Sequence, residues 1–274
     1  MNISVVTTVY NRPEHFRLML ASLAVQSRRP DELVVADDGS DEAAAAALNA
    51  LLATAPFPVK MVRQEKDGYR LAAARNRAIR AATGDYLLFL DCDIALLPDA
   101  LAIHERHAAA RRLLCGHRGL LDDAATRALF AAGPAPARED WEQAWSQADK
   151  TELADAARLF RRQALLRRWH AARPHKPKLL GCHFSLFRED VERINGFDEN
   201  FVGWGYEDDD FARRLYKAGA APRSVIEDAR ALHLWHPSLA PQELKRHRDR
   251  PNRAYFRRWR VPARCLNGLE KPET

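Results

Sequence analysis

Four short runs of apolar, largely β-branched residues recur early in the chain, with a helix-length amphipathic segment between each pair. The runs are residues 3–10, 33–36, 59–62 and 86–90, and the segments between them read as helices over about 13–27, 41–54 and 71–82. Pro13 suits the first turn of the first helix, where its missing N–H costs nothing. Strands alternating with helices at this spacing predict an α/β fold with a mostly parallel central sheet and helices on both faces. Ligands of such sheets bind beyond the carboxyl ends of the strands. Three of those ends carry polar sets: Tyr10-Asn11-Arg12, Asp37-Asp38-Gly39-Ser40 and Asp91-Cys92-Asp93. A site is therefore expected where they converge.

The second half is less regular. Residues 98–112 read as a helix, and 113–121 hold a short strand. Gly133-Pro134-Ala135-Pro136 is a break. Residues 138–172 read as one long charged helical region, with Trp141, Trp145, Leu153, Ala157, Phe160, Ala164 and Trp169 as its apolar stripe. Its Arg158, Arg161, Arg162, Arg167 and Arg168 suit a solvated face, or alternatively contact with an anionic acceptor or lipid headgroups. Residues 179–187 are strand-like again. Residues 245–260 are rich in Arg and His, with Tyr255, Phe256 and Trp259 interleaved. That pattern suits a peripheral membrane or polyanion contact, and equally a solvated helix.

Composition excludes several classes. Of 274 residues, Lys and Arg number 43 against 37 Asp and Glu, a mild excess compatible with anionic small substrates or lipid surfaces. No zinc-finger, RNP or recognition-helix signature is present, so nucleic acid is not expected as a partner. The four cysteines, Cys92, Cys115, Cys182 and Cys265, form no CxxC pair, against a disulfide framework or structural zinc. No signal peptide and no apolar run of transmembrane length is read, so a soluble cytoplasmic setting is the expectation.

Three constellations carry chemistry. Asp91 and Asp93, two apart at a strand end, are expected on one face with Cys92 turned away, a pair of oxygen ligands for a hard divalent ion. His233 and His236 would face opposite sides of a flat strand, so joint ligation needs a bend, for which Pro237 is suited. Imidazole added to carboxylate favours Mn²⁺ over Mg²⁺. The third constellation is Gly203-Trp204-Gly205-Tyr206-Glu207-Asp208-Asp209-Asp210. Flanking glycines permit a tight turn that leaves the Trp204 indole open as a sugar platform. A carboxylate just beyond it is placed to accept a hydroxyl proton. The same acids would also serve as a plain helix N-terminal signal.

Together these stretches resemble family 2 glycosyltransferases of the GT-A fold. Thr8-Val9-Tyr10-Asn11-Arg12, Asp37-Asp38-Gly39-Ser40, Arg75-Asn76-Arg77-Ala78 and Asp91-Cys92-Asp93 are similar to their nucleotide-sugar half. The stretch from Asn195-Gly196-Phe197-Asp198 to Asp210 resembles the acceptor motif of β-1,4-galactosyltransferases. The resemblance implies one domain: a nucleotide-sugar half (1–120), a helical insertion (121–178), an acceptor and metal half (179–240) and a basic tail (241–274). It implies donor contacts from Thr8, Tyr10, Arg12, Asp38, Arg75, Asn76 and Asp91. The metal, Mn²⁺ with Mg²⁺ as alternative, would be held by Asp93, His233 and His236, with Asp91 near it. Trp204, Gly205, Glu207 and Asp209 would bind sugar, and Asp208 would be the base, its pKa raised by Glu207 and Asp209. His183 and Tyr206 depart from the family pattern at positions bearing on which sugar is used.

The expected reaction is an inverting transfer of a hexose or N-acetylhexosamine, of galactose type by preference, from a UDP-sugar to a glycan or lipid-linked acceptor. Two alternatives stand beside it. One is a sugar-phosphate nucleotidyltransferase, which would want a glycine-rich loop where Tyr10-Asn11-Arg12-Pro13 stands. The other is a non-catalytic nucleotide-sugar or polyanion binding module.

Overall fold

The computed structural model describes residues 1–237, 251–258 and 260–271. In chain order its elements are β1 (Ile3–Val9), α1 (Pro13–Ala24), β2 (Glu32–Asp37), α2 (Glu42–Leu52), β3 (Val59–Arg63), α3 (Leu71–Ala81) and β4 (Tyr86–Asp91). There follow β5 (Ile94–Leu96), α4 (Ala100–His107), β6 (Arg112–Cys115), β7 (Gly119–Leu120), α5 (Asp123–Ala131), α6 (Arg138–Gln147) and α7 (Thr151–Arg168). The last are β8 (His183–Phe187), α8 (Arg188–Arg193), α9 (Glu207–Lys217), β9 (Ala221–Ser224) and β10 (Ala231–His233).

Seven strands form one sheet in the order β3-β2-β1-β4-β8-β6-β9. The first four are parallel, β8 runs antiparallel to both its neighbours, and β6 pairs β9 in parallel. Pro222 sits in β9, an edge strand, where a missing N–H is tolerated. Alternation along the central strands divides the core. Val6, Leu87 and Phe89 face α3, α7, α8 and α9, whereas Val5, Val9, Leu88 and Leu90 face α1, α2 and α4. On the first face the Phe89 and Phe184 rings stack at 4.5 Å and the Phe197 and Phe211 rings at 4.1 Å. Such pairs contribute about 0.5–1.5 kcal/mol beyond burial. Phe197 and Phe211 flank the Gly-Trp-Gly stretch, so that motif is riveted to the sheet.

A second sheet was not foreshadowed. The strands β5-β10-β7 form it, and β10 pairs β5 antiparallel and β7 in parallel. The apolar run Ile94-Ala95-Leu96-Leu97, directly after Asp93, is its signal in the sequence. Its outer side carries α5 and α6, packed through Leu129, Trp141 and Ala144.

Two expectations need correction. The long helix over 138–172 is two helices, broken where Asp149 bridges to Leu120 of β7. Its stripe also ends one residue early: Ala164 still packs against the core, whereas Trp169 is 73% exposed. The basic tail, where described, is helical over residues 251–256 and packs on the rest of the chain. Arg258 pairs with Asp198 at 3.1 Å, Tyr255 donates to the same carboxylate, and Asn252 donates to the Gly205 carbonyl at 3.1 Å. Residues 245–250 and Trp259 lie outside the described residues. No helix among the described residues is long and apolar enough to cross a membrane.

One polar chain threads the core. Tyr86 and Ser185 share a hydroxyl contact at 2.7 Å, Ser185 bonds His104 Nδ1 at 2.6 Å, and His104 Nε2 lies 2.8 Å from His183 Nε2. His183, with its Nδ1 3.1 Å from the His117 carbonyl, is thus fully enclosed rather than turned to a sugar. Burial lowers its pKa to about 4 from an ordinary 6.5, and pushes that of His104 well down. The unfolded chain therefore takes up a proton before the folded one does. This contribution to stability is complete above pH 6.5 and is lost as the pH falls towards 4, worth about 3 kcal/mol for His183 alone. In urea titrations, wild type should lose about 2 kcal/mol more than His183→Gln between pH 7.5 and pH 5. Parallel pH profiles for the two proteins would refute the buried-neutral assignment.

Candidate functional site

The register of β1, β2 and β4 brings their carboxyl ends level, with Val9 opposite Asp37 and Thr8 opposite Asp91. Beyond β2, the carboxylate of Asp38 accepts hydrogen bonds from Gln64 and, at 3.1 Å, from Lys66. The Lys66 ammonium also lies 3.5 Å from the centre of the Tyr10 ring. A cavity of about 460 Å³, lined by Gly39, Arg63, Gln64, Glu65 and Lys66, opens beside them. An aromatic face, a carboxylate and an amide in one place suit a flat heterocycle with N–H donors.

The small sheet assembles a second cluster. Ile94 of β5 is opposite His233 of β10, and Leu234 donates its N–H to the Asp93 carbonyl at 2.9 Å. The chain bends directly after β10, so His236 also comes round. One ligand atom each from Asp93, His233 and His236 lie within 4.8 Å of one another. His236 Nε2 is 3.1 Å from Asp93 Oδ2. Its Nδ1 is 3.0 Å from the Pro237 carbonyl. Arg12, which precedes α1, reaches the same place: one Nη is 3.0 Å from His236 Nδ1 and the other 3.7 Å from Asp93. That second nitrogen is buried without a hydrogen-bond partner among the described residues, the condition an incoming phosphate oxygen would relieve. Burial pushes the Asp93 pKa up, but the His236 hydrogen bond and the charges of His233, His236 and Arg12 bring it below its ordinary value. The donor set fits Mn²⁺.

Asp91 is not part of this cluster. It ends β4, whereas Asp93 lies in the following turn, so the strand alternation expected to align them has already stopped. Asp91 instead meets Arg75 at 3.2 Å. Arg75, buried on α3, also donates to the Gly181 carbonyl at 3.0 Å and to Asp208 Oδ1 at 2.6 Å. Burial raises the Asp91 pKa to about 6, with Arg75 opposing and Asp93 and Asp208 adding. Asn76, read as a donor contact, is fully buried. Its amide donates to the Phe197 carbonyl at 2.8 Å and accepts from the Phe197 N–H at 2.8 Å, which makes it scaffold for the acceptor-like loop.

The Gly-Trp-Gly turn has the form its residues require. Gly203 and Gly205 have φ of +86° and +97°, and Tyr206 follows at +71° as it enters α9. Trp204 is 52% exposed, and the Tyr206 ring stacks on Phe256 at 5.2 Å. The four acids then divide by environment. Asp210 is fully buried against Arg214 at 2.6 Å and serves the fold. Asp208 has Oδ1 on Arg75, and its Oδ2 makes no hydrogen bond among the described residues. Glu207 is buried, and its Oε2 has no partner among the described residues. Burial, then the Asp208 charge, raises its pKa to about 8. Burial also raises the pKa of Asp209. Tyr69 was missed: its carbonyl accepts from Gly203 N at 2.8 Å, and burial together with the nearby Glu207 and Asp91 raises its phenol pKa. No spacing in the sequence ties it to the motif.

Comparison with known proteins gives two adjoining family matches. Residues 4–169 match the glycosyl transferase family 2 profile, and residues 163–236 match one described as the N-terminal domain of galactosyltransferase. The chain is 31% identical over 253 residues to a chondroitin synthase of Escherichia coli, covering 84% of this chain and 34% of that protein. It is 29% identical over 246 residues to a validoxylamine A glucosyltransferase of Streptomyces hygroscopicus, covering 85% and 52%. The chain thus spans a third to a half of these relatives. In fold it matches Staphylococcus aureus TarS in complex with UDP, with a TM-score of 0.57 at 18% identity over 85% of this chain and 60% of that one. It also matches a Pyrobaculum calidifontis mannosyltransferase in complex with GDP-Man and Mn²⁺, with a TM-score of 0.58 at 18% identity over 95% and 66%. These neighbours are GT-A glycosyltransferases, and the architecture described above is theirs.

Gly181 offers a direct test of this arrangement. A Cβ there would lie 2.0 Å from Asp208 Oδ2, so Gly181→Ala must displace the carboxylate or the strand. The expected cost is about 1–3 kcal/mol in unfolding free energy, measured by denaturant titration. An unchanged midpoint would mean that Asp208 is not seated over Gly181.

Proposed function

The chain belongs to glycosyltransferase family 2, and on that premise we propose that it transfers a sugar from a UDP-sugar to a saccharide hydroxyl with inversion at the anomeric carbon. The observation that carries the reading is the arrangement around the end of β4. Asp93 gathers His233, His236 and Arg12 on one side, and Asp91 joins Arg75 and Asp208 on the other. A diphosphate neutralised at the first set would leave its sugar near the second.

The uracil edge offers an N–H donor that Asp38 accepts, with Tyr10 beside the ring, while Thr8 borders the same strand end. Asp93, His233 and His236 would hold Mn²⁺, which when bound supplies Lewis-acid charge opposite the leaving diphosphate. Arg12 adds a guanidinium to the same oxygens. Trp204 covers the sugars, and Glu207, neutral at pH 7, hydrogen-bonds a sugar hydroxyl together with Asp209. The acceptor oxygen attacks the anomeric carbon as the bond from that carbon to the UDP oxygen breaks. UDP departs with the electron pair, and Asp208 Oδ2 takes the acceptor proton. Arg75, on Oδ1, fixes the orientation of that carboxylate. One displacement inverts the centre without an enzyme nucleophile.

A galactose-type sugar is the favoured donor, supported by the galactosyltransferase match over residues 163–236. A glycan or lipid-linked acceptor in cell-surface polysaccharide synthesis is supported by the chondroitin synthase relatives and by a hyaluronan synthase of Pasteurella multocida, 25% identical over 254 residues. Family membership displaces the nucleotidyltransferase and binding-module alternatives.

UDP release from a panel of UDP-sugars, with Mn²⁺ and with EDTA, tests the reading: one donor should turn over, and EDTA should abolish it. No release and no metal-dependent UDP binding would reject it. Asp208→Asn should lower kcat by about 10²–10⁴-fold with UDP affinity nearly unchanged; near-full turnover would move the base to another group. Asp93→Asn should do the reverse at the nucleotide, weakening Mn²⁺-dependent UDP binding in calorimetry by at least about tenfold.

A further inference from the structure

We propose that the acceptor carries an anionic group, a carboxylate or a phosphate, held by Arg173, Lys176 and Lys178 beside the attacking hydroxyl. This rests on the transfer reading and names the class of its acceptor. Most basic side chains in this half of the molecule already have partners. Arg158 pairs with Asp155, Arg161 with Glu227, and Arg213 and Arg214 with Asp210. Arg167 donates to the carbonyls of Arg173, Pro174 and Lys176. Arg173 and Lys176 have no acid within 4.0 Å among the described residues. Lys178, its side chain 60% exposed, has only Asp209, at the limit of 4.0 Å.

This segment is held in place rather than loose. Arg167 fixes three of its carbonyls and lies over the Tyr216 ring at 4.2 Å, and Tyr216 in turn donates to the Pro177 carbonyl at 2.9 Å. Ordering cations before the ligand arrives lowers the entropic cost of binding it. The segment then runs directly into Gly181, against which Asp208 is seated. The cations therefore border α9, with Lys178 Nζ 4.0 Å from Asp209. Their field is felt locally. His175 has its pKa lowered to about 4, first by burial and then by Lys176, Arg213, Arg173 and Arg167. One carboxylate, Asp209, faces this cationic strip, so a second anion is accommodated.

The test compares binding of four probes to the full chain by ligand-observed NMR, with UDP and Mg²⁺ present. Methyl β-glucuronide is set against methyl β-glucoside, and glycerol 3-phosphate against glycerol. The charged member of at least one pair should bind about tenfold more tightly, with an advantage that fades in salt. Preference within the first pair points to a uronate, and within the second to a phosphate. The advantage should vanish in Lys176→Ala/Lys178→Ala and return in Lys176→Arg/Lys178→Arg, which separates lost charge from lost folding. Equal binding within both pairs, or an advantage that survives the alanine pair, overturns the proposal. Donor hydrolysis by wild type, measured alongside, fails only if the transfer reading itself is wrong.

Discussion

The guanidinium of Arg75 joins the two halves of this molecule. It reaches Asp91 at the end of β4, the Gly181 carbonyl ahead of β8 and Asp208 in the first turn of α9. Removing a guanidinium from water costs several kcal/mol unless its donors are matched. Here three elements supply the match, so none can shift alone without leaving a buried charge unpaired. Its neighbour Asn76 repeats the bond on neutral terms, closing both hydrogen bonds of the Phe197 peptide. One turn of α3 thus holds the loop that leads into the Gly-Trp-Gly turn at a fixed distance from the ends of the parallel strands.

That constraint gives the acid run its division of labour. Four consecutive carboxylates repel one another, and only separate environments let them coexist. The helix terminus favours them all. Asp210 is then neutralised by Arg214, Asp208 by Arg75, and Glu207 by retaining its proton. The result is one structural acid, one carboxylate with a free oxygen and one neutral carboxylic acid within a single turn. The chemistry proposed for the site uses the last two in different ways.

The metal cluster depends on a different device. Asp93 and His233 are brought together because β5 and β10 pair immediately beside them. The three-stranded sheet is small, but α5 and α6 cover it with Trp141 and Leu129, so the segment 121–148 supports Asp93 and His233 from behind. His236 joins only because the chain turns at Pro237 after β10.

Much of this was legible in the chain. The near-continuous apolar runs of β1, β2 and β4 are dictated by burial on both faces, and the polar sets at their ends had nowhere to go but the top of the sheet. The glycines around Trp204 announced a tight turn, which the structure realises with positive φ at both. Tertiary structure alone decided the rest. Whether Asp91 or Asp93 meets the histidines depends on where β4 stops; whether Arg75 and Asn76 meet ligand or scaffold depends on what packs against α3. The enclosure of His183, the break before α7 and the seating of residues 251–258 on Asp198 likewise arise from contacts across dozens of residues. Local pattern reports the face a side chain takes on its own element, while pKa, partner and access are set by whatever the fold brings to that face.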